Sequence, residues 1–85
     1  MVEIVFHPPE TELPETAIDV PEGSPPIAEI ISAEIFRGSN GSAAASKVDT
    51  TATKVDANTI KLDVYTYGRD LLVLRYIPVG RVLQA

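Results

Sequence analysis

Residues 71–77, Leu-Leu-Val-Leu-Arg-Tyr-Ile, are the most apolar run of the chain and restrict its fold more than any other stretch. Alternate residues of an extended strand point to opposite faces, and here both sets are largely apolar. Such a strand needs cover on both sides. Residues 59–65, just before it, alternate apolar with polar side chains, which is typical of a strand with one buried face. We therefore predict a β-hairpin over 59–77, with residues 68–70 as its turn.

The other strand candidates complete a fold prediction. Residues 2–7 alternate, and residues 43–55 are rich in Ala, Thr and Ser, as in an edge strand or an ordered loop. Residues 27–37 hold four isoleucines, which favours a strand, although the prolines before them and Gly38 after them would also bound a helix. We predict an all-β fold, a small antiparallel β-sandwich or barrel-like domain, or an α+β fold if 27–37 is a helix.

Six of the seven prolines lie between residues 8 and 26. Proline fixes φ and removes a backbone donor, so this acidic stretch is expected to be extended, reaching roughly 55–60 Å at ~3.1 Å per residue. We predict two parts, an arm at 1–26 that includes a short N-terminal strand, and a compact β domain at 27–85. As an arm it would lay Leu13, Ile18 and Val20 into a groove on another subunit, and the alternative is a linker or a loop wrapped on its own domain.

Charge is unevenly distributed along the chain. Residues 1–36 hold eight acids and no Lys or Arg, whereas residues 37–85 hold seven bases and four acids. This asymmetry favours contact between the acidic half and the basic half of the same chain or of a neighbour, and it disfavours nucleic-acid binding through the first half. Arg69, Arg75 and Arg81 are the bases that we expect to meet an acidic partner surface, and Tyr76 is a further partner-binding candidate.

No residue pattern in the chain indicates catalysis or a cofactor. The single histidine, His7, has no second His or Cys to share a metal ion with, and the acids do not follow calcium-loop spacing. The five glycines are scattered rather than gathered in a phosphate-binding loop, and no aromatic platform accompanies a basic run. We predict a protein that is not an enzyme and has no metal, cofactor, nucleic-acid or small-molecule site.

The length of the chain and its lack of cysteine indicate its stability and the compartment in which it works. A chain of 85 residues buries only ~60–65% of its unfolded surface, so its stability is expected to be modest and helped by partners. It has no cysteine, which suits a reducing compartment. It starts Met-Val-Glu-Ile without a basic leader region, and no apolar run approaches the ~20 residues that span a bilayer. These features predict no membrane contact and a cytoplasmic site of production.

The chain resembles the small decoration, or cement, proteins of tailed-bacteriophage heads. The resemblance is carried by the proline-rich stretch 8–26, the Ala/Ser/Thr-rich middle 42–53, and the closing runs 59–63 and 70–76. It implies a β-sandwich or barrel-like fold, self-association, and binding across the seams of a capsid protein within the virion. The function expected on this basis is structural assembly, and the alternative is a small adaptor that binds one protein transiently through its acidic arm.

Overall fold

The computed structural model describes residues 1–38, 45–67 and 69–80, and within these ranges all regular structure is β-strand. The strands are β1 (Val2–Phe6), β2 (Ala17–Asp19), β3 (Ile27–Gly38), β4 (Ala45–Thr50), β5 (Ala52–Asp56), β6 (Thr59–Leu62) and β7 (Asp70–Pro78). They form a four-stranded sheet in the order β1-β7-β3-β4 and a three-stranded sheet in the order β2-β6-β5. Every pairing is antiparallel, which confirms the all-β prediction and the strand at 27–37.

The hydrophobic core lies between the two sheets. Its buried members come from both sheets and from the chain that follows β2: Ile18, Val20, Ile27, Ala33, Ile35, Ile60, Leu62, Leu72, Leu74 and Tyr76. At this chain length a single core of this kind is the main source of stability, so each of its large side chains contributes a sizeable share.

Strand β7 is central in the four-stranded sheet, between β1 and β3. Its inner face, with Leu72, Leu74 and Tyr76, is fully buried in the core. Its outer face is only partly covered, because Val73 is buried whereas Ile77 is 39% exposed. The prediction of an apolar strand at 71–77 is confirmed, while its expected cover on both faces holds for one face and part of the other.

The hairpin predicted over 59–77 is wrong. Strands β6 and β7 belong to different sheets and pack against each other across the core instead of pairing. Their hydrogen-bonding partners come from elsewhere in the chain, since β7 pairs with β1 and β3 while β6 pairs with β2 and β5. The physical reason is that an apolar strand is best covered at the centre of a sheet, and two flanking strands leave β7 no free edge for β6.

The proline-rich stretch is hydrogen-bonded along its own domain. Besides the β2–β6 pairing, four backbone amides from Thr11 to Ile27 donate to carbonyl groups of residues 57–66, at 2.8–3.1 Å, and one of them is Ile27 N to Ala57 O. Tyr76 Oη donates to the carbonyl oxygen of Pro25 at 2.6 Å. The segment predicted as an arm at 1–26 therefore supplies one strand to each sheet, which matches the alternative of a loop wrapped on its own domain.

Replacing Ile18 by Ala tests whether the proline-rich stretch is part of the core. Ile18 is 2% exposed, so the substitution is expected to lower the free energy of unfolding by about 2–4 kcal/mol, through lost burial and a cavity. Leu13→Ala is the matched control, because Leu13 is 68% exposed in the same stretch and its loss should cost less than about 0.5 kcal/mol. Urea unfolding measures both, and equal effects of the two substitutions would contradict the observed packing.

Candidate functional site

Two tyrosines, Tyr65 and Tyr67, form an exposed aromatic pair at one end of the sandwich. They lie on the segment that leaves β6 and crosses towards β7, and alternation along this extended chain turns both outward. Their ring centroids are 5.2 Å apart with the ring planes at 60°, and their hydroxyls are hydrogen-bonded at 3.0 Å. The side chains are 40% and 44% exposed. The hydrogen bond with Tyr65 and partial burial raise the pKa of Tyr67 above its ordinary value.

Arg37, near the end of β3, completes this surface. The guanidinium carbon lies 4.4 Å from the ring centroid of Tyr67 and 5.9 Å from that of Tyr65, within the range of cation–π contact. Arg37 Nη2 also donates to the carbonyl oxygen of Tyr65 at 2.9 Å. We call Arg37, Tyr65 and Tyr67 together the tyrosine platform.

Asp70, the first residue of β7, binds two members of the tyrosine platform on its buried side. Its carboxylate is 1% exposed and accepts hydrogen bonds from Arg37 Nε, at 3.2 Å to each oxygen, and from Tyr67 N at 2.8 Å. The Asp70 carbonyl oxygen accepts a further bond from His7 Nδ1 at 3.0 Å. A buried carboxylate is tolerated only with such partners, so its contacts restrict both the arginine and the backbone of the second tyrosine.

Thr66, between the two tyrosines, points inward and is fully buried. Its hydroxyl donates to the carbonyl oxygen of Pro9 at 2.6 Å, and its amide donates to Thr11 Oγ1 at 2.9 Å. Thr11 N in turn donates to Thr66 O at 3.1 Å. The proline-rich stretch is therefore hydrogen-bonded to the backbone that carries the aromatic pair, and these bonds limit the motion of that backbone.

Asp63 fixes the start of the same crossing segment. Asp63 Oδ1 accepts hydrogen bonds from Thr50 Oγ1 at 2.6 Å and from Thr51 N at 3.0 Å, and Asp63 N donates to Thr51 O at 3.1 Å. The hydrogen bonds from Thr50 and Thr51 stabilise the carboxylate and lower the pKa of Asp63 below its ordinary value of 3.8. The bond from Thr50 has the larger effect.

A second polar feature is a charge network on the outer face of the four-stranded sheet. Arg75 pairs with Glu3 at 2.8 Å and with Glu34 at 3.6 Å, and Lys47 pairs with Glu34 at 3.1 Å and with Asp49 at 3.7 Å. The hydrogen bond with Lys47 lowers the pKa of Glu34, and the same bond raises the pKa of Lys47. Lys47, Asp49 and Glu3 are exposed, and Glu34 and Arg75 are partly exposed, so water screens each pair and each contributes little to stability. Three of the four pairs join acids of the first half to bases of the second, as the charge asymmetry predicts for contacts within one chain, and the Lys47–Asp49 pair lies within the second half.

Only some of the partner-binding residues predicted from the sequence lie on the surface. Ile18, Val20 and Tyr76 are buried in the chain's own core, where they cannot contact a partner. The reason is that the proline-rich stretch packs on its own domain, so its apolar residues fill the gap between the sheets. Leu13, by contrast, is exposed.

The three predicted arginines have different surroundings. Arg75 is engaged in the outer-face network with Glu3 and Glu34. Arg69 lies in the turn before β7 and is exposed, and it makes an interaction of its own. Arg81 lies outside the described residues. The two described arginines thus lie in different places, Arg69 in a turn and Arg75 on the outer face of the four-stranded sheet.

Sequence reasoning missed the tyrosine platform as a unit. The Tyr-Thr-Tyr spacing does place two rings on one face, and tyrosines on such segments are expected in packing or in interfaces. Arg37 carries no sequence signal of its own, because it is 28 residues before Tyr65 and reaches it only through the pairing of β3 with β7.

Searches for other kinds of site within the described ranges give three findings. Those residues contain no group of three or more His, Cys, Asp or Glu placed to hold a metal ion. The described chain has no helix long and apolar enough to cross a membrane. A surface cavity between the turns at 20–24 and 56–59 has three acids among its nine lining residues, Asp19, Glu22 and Asp56. Two of them accept hydrogen bonds from within the chain, Asp19 from Thr59 Oγ1 and Asp56 from Asn58 N.

Comparison with protein-family models, with curated proteins and with solved structures finds no match to this chain.

Replacing Asp70 by Asn tests the support of the tyrosine platform. The Asn side chain keeps one accepting oxygen but replaces the other by an NH2 donor and removes the charge that faces the Arg37 guanidinium, so the free energy of unfolding should fall by about 2 kcal/mol. Glu3→Gln is the control, because it removes an exposed arginine pair and should cost less than about 1 kcal/mol. Urea unfolding and the near-ultraviolet signal of the tyrosines report both, and equal losses would contradict a special role of Asp70.

The lowered pKa of Asp63 predicts acid sensitivity. Because its pKa is lower in the folded than in the unfolded chain, its contribution to stability is complete above the ordinary value of 3.8 and is lost as pH falls through the folded value. Asp63→Asn should therefore be less stable than wild type at pH 6, and the difference should shrink as pH falls below 3.8. Urea unfolding at several pH values measures this, and a difference that stays constant with pH would contradict it.

Proposed function

We propose that this chain is a non-enzymatic structural assembly protein that binds a protein partner through the tyrosine platform. The observation that carries the proposal is an aromatic pair that is exposed but held in place from beneath by a buried carboxylate. Tyrosine and arginine are the residues most enriched at the energetic centres of protein interfaces. Their prior ordering lowers the entropy cost of binding, since the rings and the guanidinium already occupy one arrangement.

The charge balance of the tyrosine platform favours an apolar partner surface with hydrogen-bonding groups. Asp70 neutralises the Arg37 guanidinium from within, so the rings and their two hydroxyls are what the platform presents. A contact of this kind depends mainly on buried area and hydrogen bonds, and it should be insensitive to salt. The resemblance to phage decoration proteins leads us to propose a capsid shell protein as the partner and the virion as the place of assembly.

A second function, a transient adaptor, is favoured by a different observation. Glu10, Glu12 and Glu22 are all exposed in the proline-rich stretch, where a basic partner surface could contact them. Binding through these carboxylates would weaken steeply with ionic strength, because exposed charges are screened within ~8–10 Å at physiological salt.

Gradient centrifugation of a tagged copy produced in its native source tests the assembly function. The wild-type chain is expected to sediment with a large protein shell, in ~0.5 M salt as well as ~0.1 M salt. The double substitution Tyr65→Ala with Tyr67→Ala should reduce the bound amount by about tenfold or more, as for a pair of interface hot spots. Thr53→Ala with Val55→Ala is the control, since both residues are exposed on β5 away from the tyrosine platform.

Three outcomes would count against the proposal. A wild-type chain that stays with the slowly sedimenting proteins at both salt concentrations would overturn the assembly function. Loss of the complex only at high salt would favour the adaptor. Equal binding by wild type and the double tyrosine variant would show that the contact lies elsewhere on the molecule.

A further inference from the structure

Strand β1 has a free edge. It pairs with β7 along its whole length, from Val2 opposite Tyr76 to Phe6 opposite Leu72. On its other side, no strand of the described chain is paired with it. Its outward backbone groups are thus available to a further strand, which is the arrangement that leads sheets to join edge to edge.

The other three edge strands carry features that discourage such pairing, and β1 does not. Strand β2 has only three residues, and β5 is interrupted by a register shift between Lys54 and Asp56. Strand β4 presents Lys47 and Asp49 on the outer face. Strand β1 has no proline, no lysine and no register shift.

The apolar core is only partly covered at the edge formed by β1. Val2, Ile4 and Phe6 point into the sandwich and pack against the core, but each is only partly buried. Their partners on β7, in contrast, are all fully buried. A strand added next to β1 would cover the remaining apolar surface of these three residues, and that burial would add to the new backbone hydrogen bonds.

We propose that β1 pairs antiparallel with β1 of a second copy of this chain, around a two-fold axis at Ile4. In this register Val2 lies opposite Phe6 of the other copy, Ile4 opposite Ile4, and Glu3 opposite Val5. The two inner faces then continue each other, as do the two outer faces, because the register preserves the alternation of the strand. The contact is isologous, with the same surface on both copies.

The charge pattern of β1 selects this register. Glu3 is its only charged residue, and it already pairs with Arg75 of its own chain at 2.8 Å. A two-fold axis at Glu3 would place two carboxylates directly opposite each other, which is unfavourable. An axis at Val5 would draw His7 into the pairing, beyond the end of the strand at Phe6. The axis at Ile4 pairs all five residues and opposes no like charges.

The expected complex is a reversible dimer. A contact of one five-residue strand from each copy is smaller than the ~800 Å² per partner of a standard stable interface. It uses no residue of the tyrosine platform, so it is independent of the function proposed above. The double tyrosine variant should dimerise as the wild type does, which separates failure of one proposal from failure of the other.

Opposite charges placed at one position test the register. Val5 is 54% exposed and lies opposite Glu3 of the second copy in the proposed dimer. Val5→Glu should weaken dimerisation by about tenfold, because the two-fold axis creates the like-charge pair twice. Val5→Lys should leave the affinity unchanged or increase it, through two opposite-charge pairs. Sedimentation equilibrium of the purified full chain, up to millimolar concentration, measures these affinities.

A single engineered cysteine gives an independent readout, because the chain has no cysteine of its own. Ile4→Cys places two thiols across the axis, within the ~4.4–6.8 Å Cα separation of a disulfide, and should give a covalent dimer under oxidation. Val2→Cys is the matched control on the same face, since its two copies would lie too far apart to bond. Urea unfolding confirms that each variant is folded.

A wild-type chain that remains monomeric at every concentration would overturn the proposal. Equal effects of Val5→Glu and Val5→Lys would also overturn it, as would cross-linking through Val2→Cys but not through Ile4→Cys. A monomeric wild type would leave the β1 edge to a different occupant, whereas cross-linking through Val2→Cys would indicate another register between two copies.

Discussion

The hydrogen bonds to the buried carboxylate of Asp70 fix the structure of one end of the sandwich. The carboxylate accepts hydrogen bonds from Arg37 on β3 and from the amide of Tyr67, while the backbone carbonyl of the same residue binds His7 just after β1. Three other parts of the chain therefore meet at the first residue of β7. These hydrogen bonds matter for stability because a carboxylate buried without donors would raise the free energy of the folded chain. Much of the order of the exposed aromatic pair follows from this one buried group.

The connection between the two sheets has a similar dependence on polar contacts. Strands β6 and β7 are neighbours in sequence but lie in opposite sheets, so the chain between them must cross the end of the sandwich. Asp63 holds one end of this crossing and Asp70 the other, and Thr66 is bound midway by the proline-rich stretch. Backbone groups that leave a sheet need such partners, because unpaired amides and carbonyls are destabilising where water is excluded. Residues 63–67 are thereby held in place, and they present two rings to solvent from a rigid support.

The two proposed contacts use different physical means and different surfaces. The tyrosine platform presents rigid amphipathic rings, whose binding energy comes from area and hydrogen bonds. The edge of β1 presents backbone donors and acceptors together with the partly covered rim of the core. A subunit with both could contact a partner through one surface and a copy of itself through the other.

The sequence by itself determined β1, β6 and the apolar strand β7, and it favoured a strand at 27–37, because side-chain alternation and β propensity are local properties of the chain. It also indicated an edge strand or an ordered loop at 43–55, where the structure has the edge strands β4 and β5. It did not indicate β2. Only the tertiary structure decided which strands pair. Residues 59–77 read as a local hairpin, yet β7 is better covered between β1 and β3, and Ile18 fills the core from a stretch that its prolines mark as extended. The tyrosine platform depends on the same nonlocal choice, since Arg37 reaches the two rings only once β3 lies beside β7.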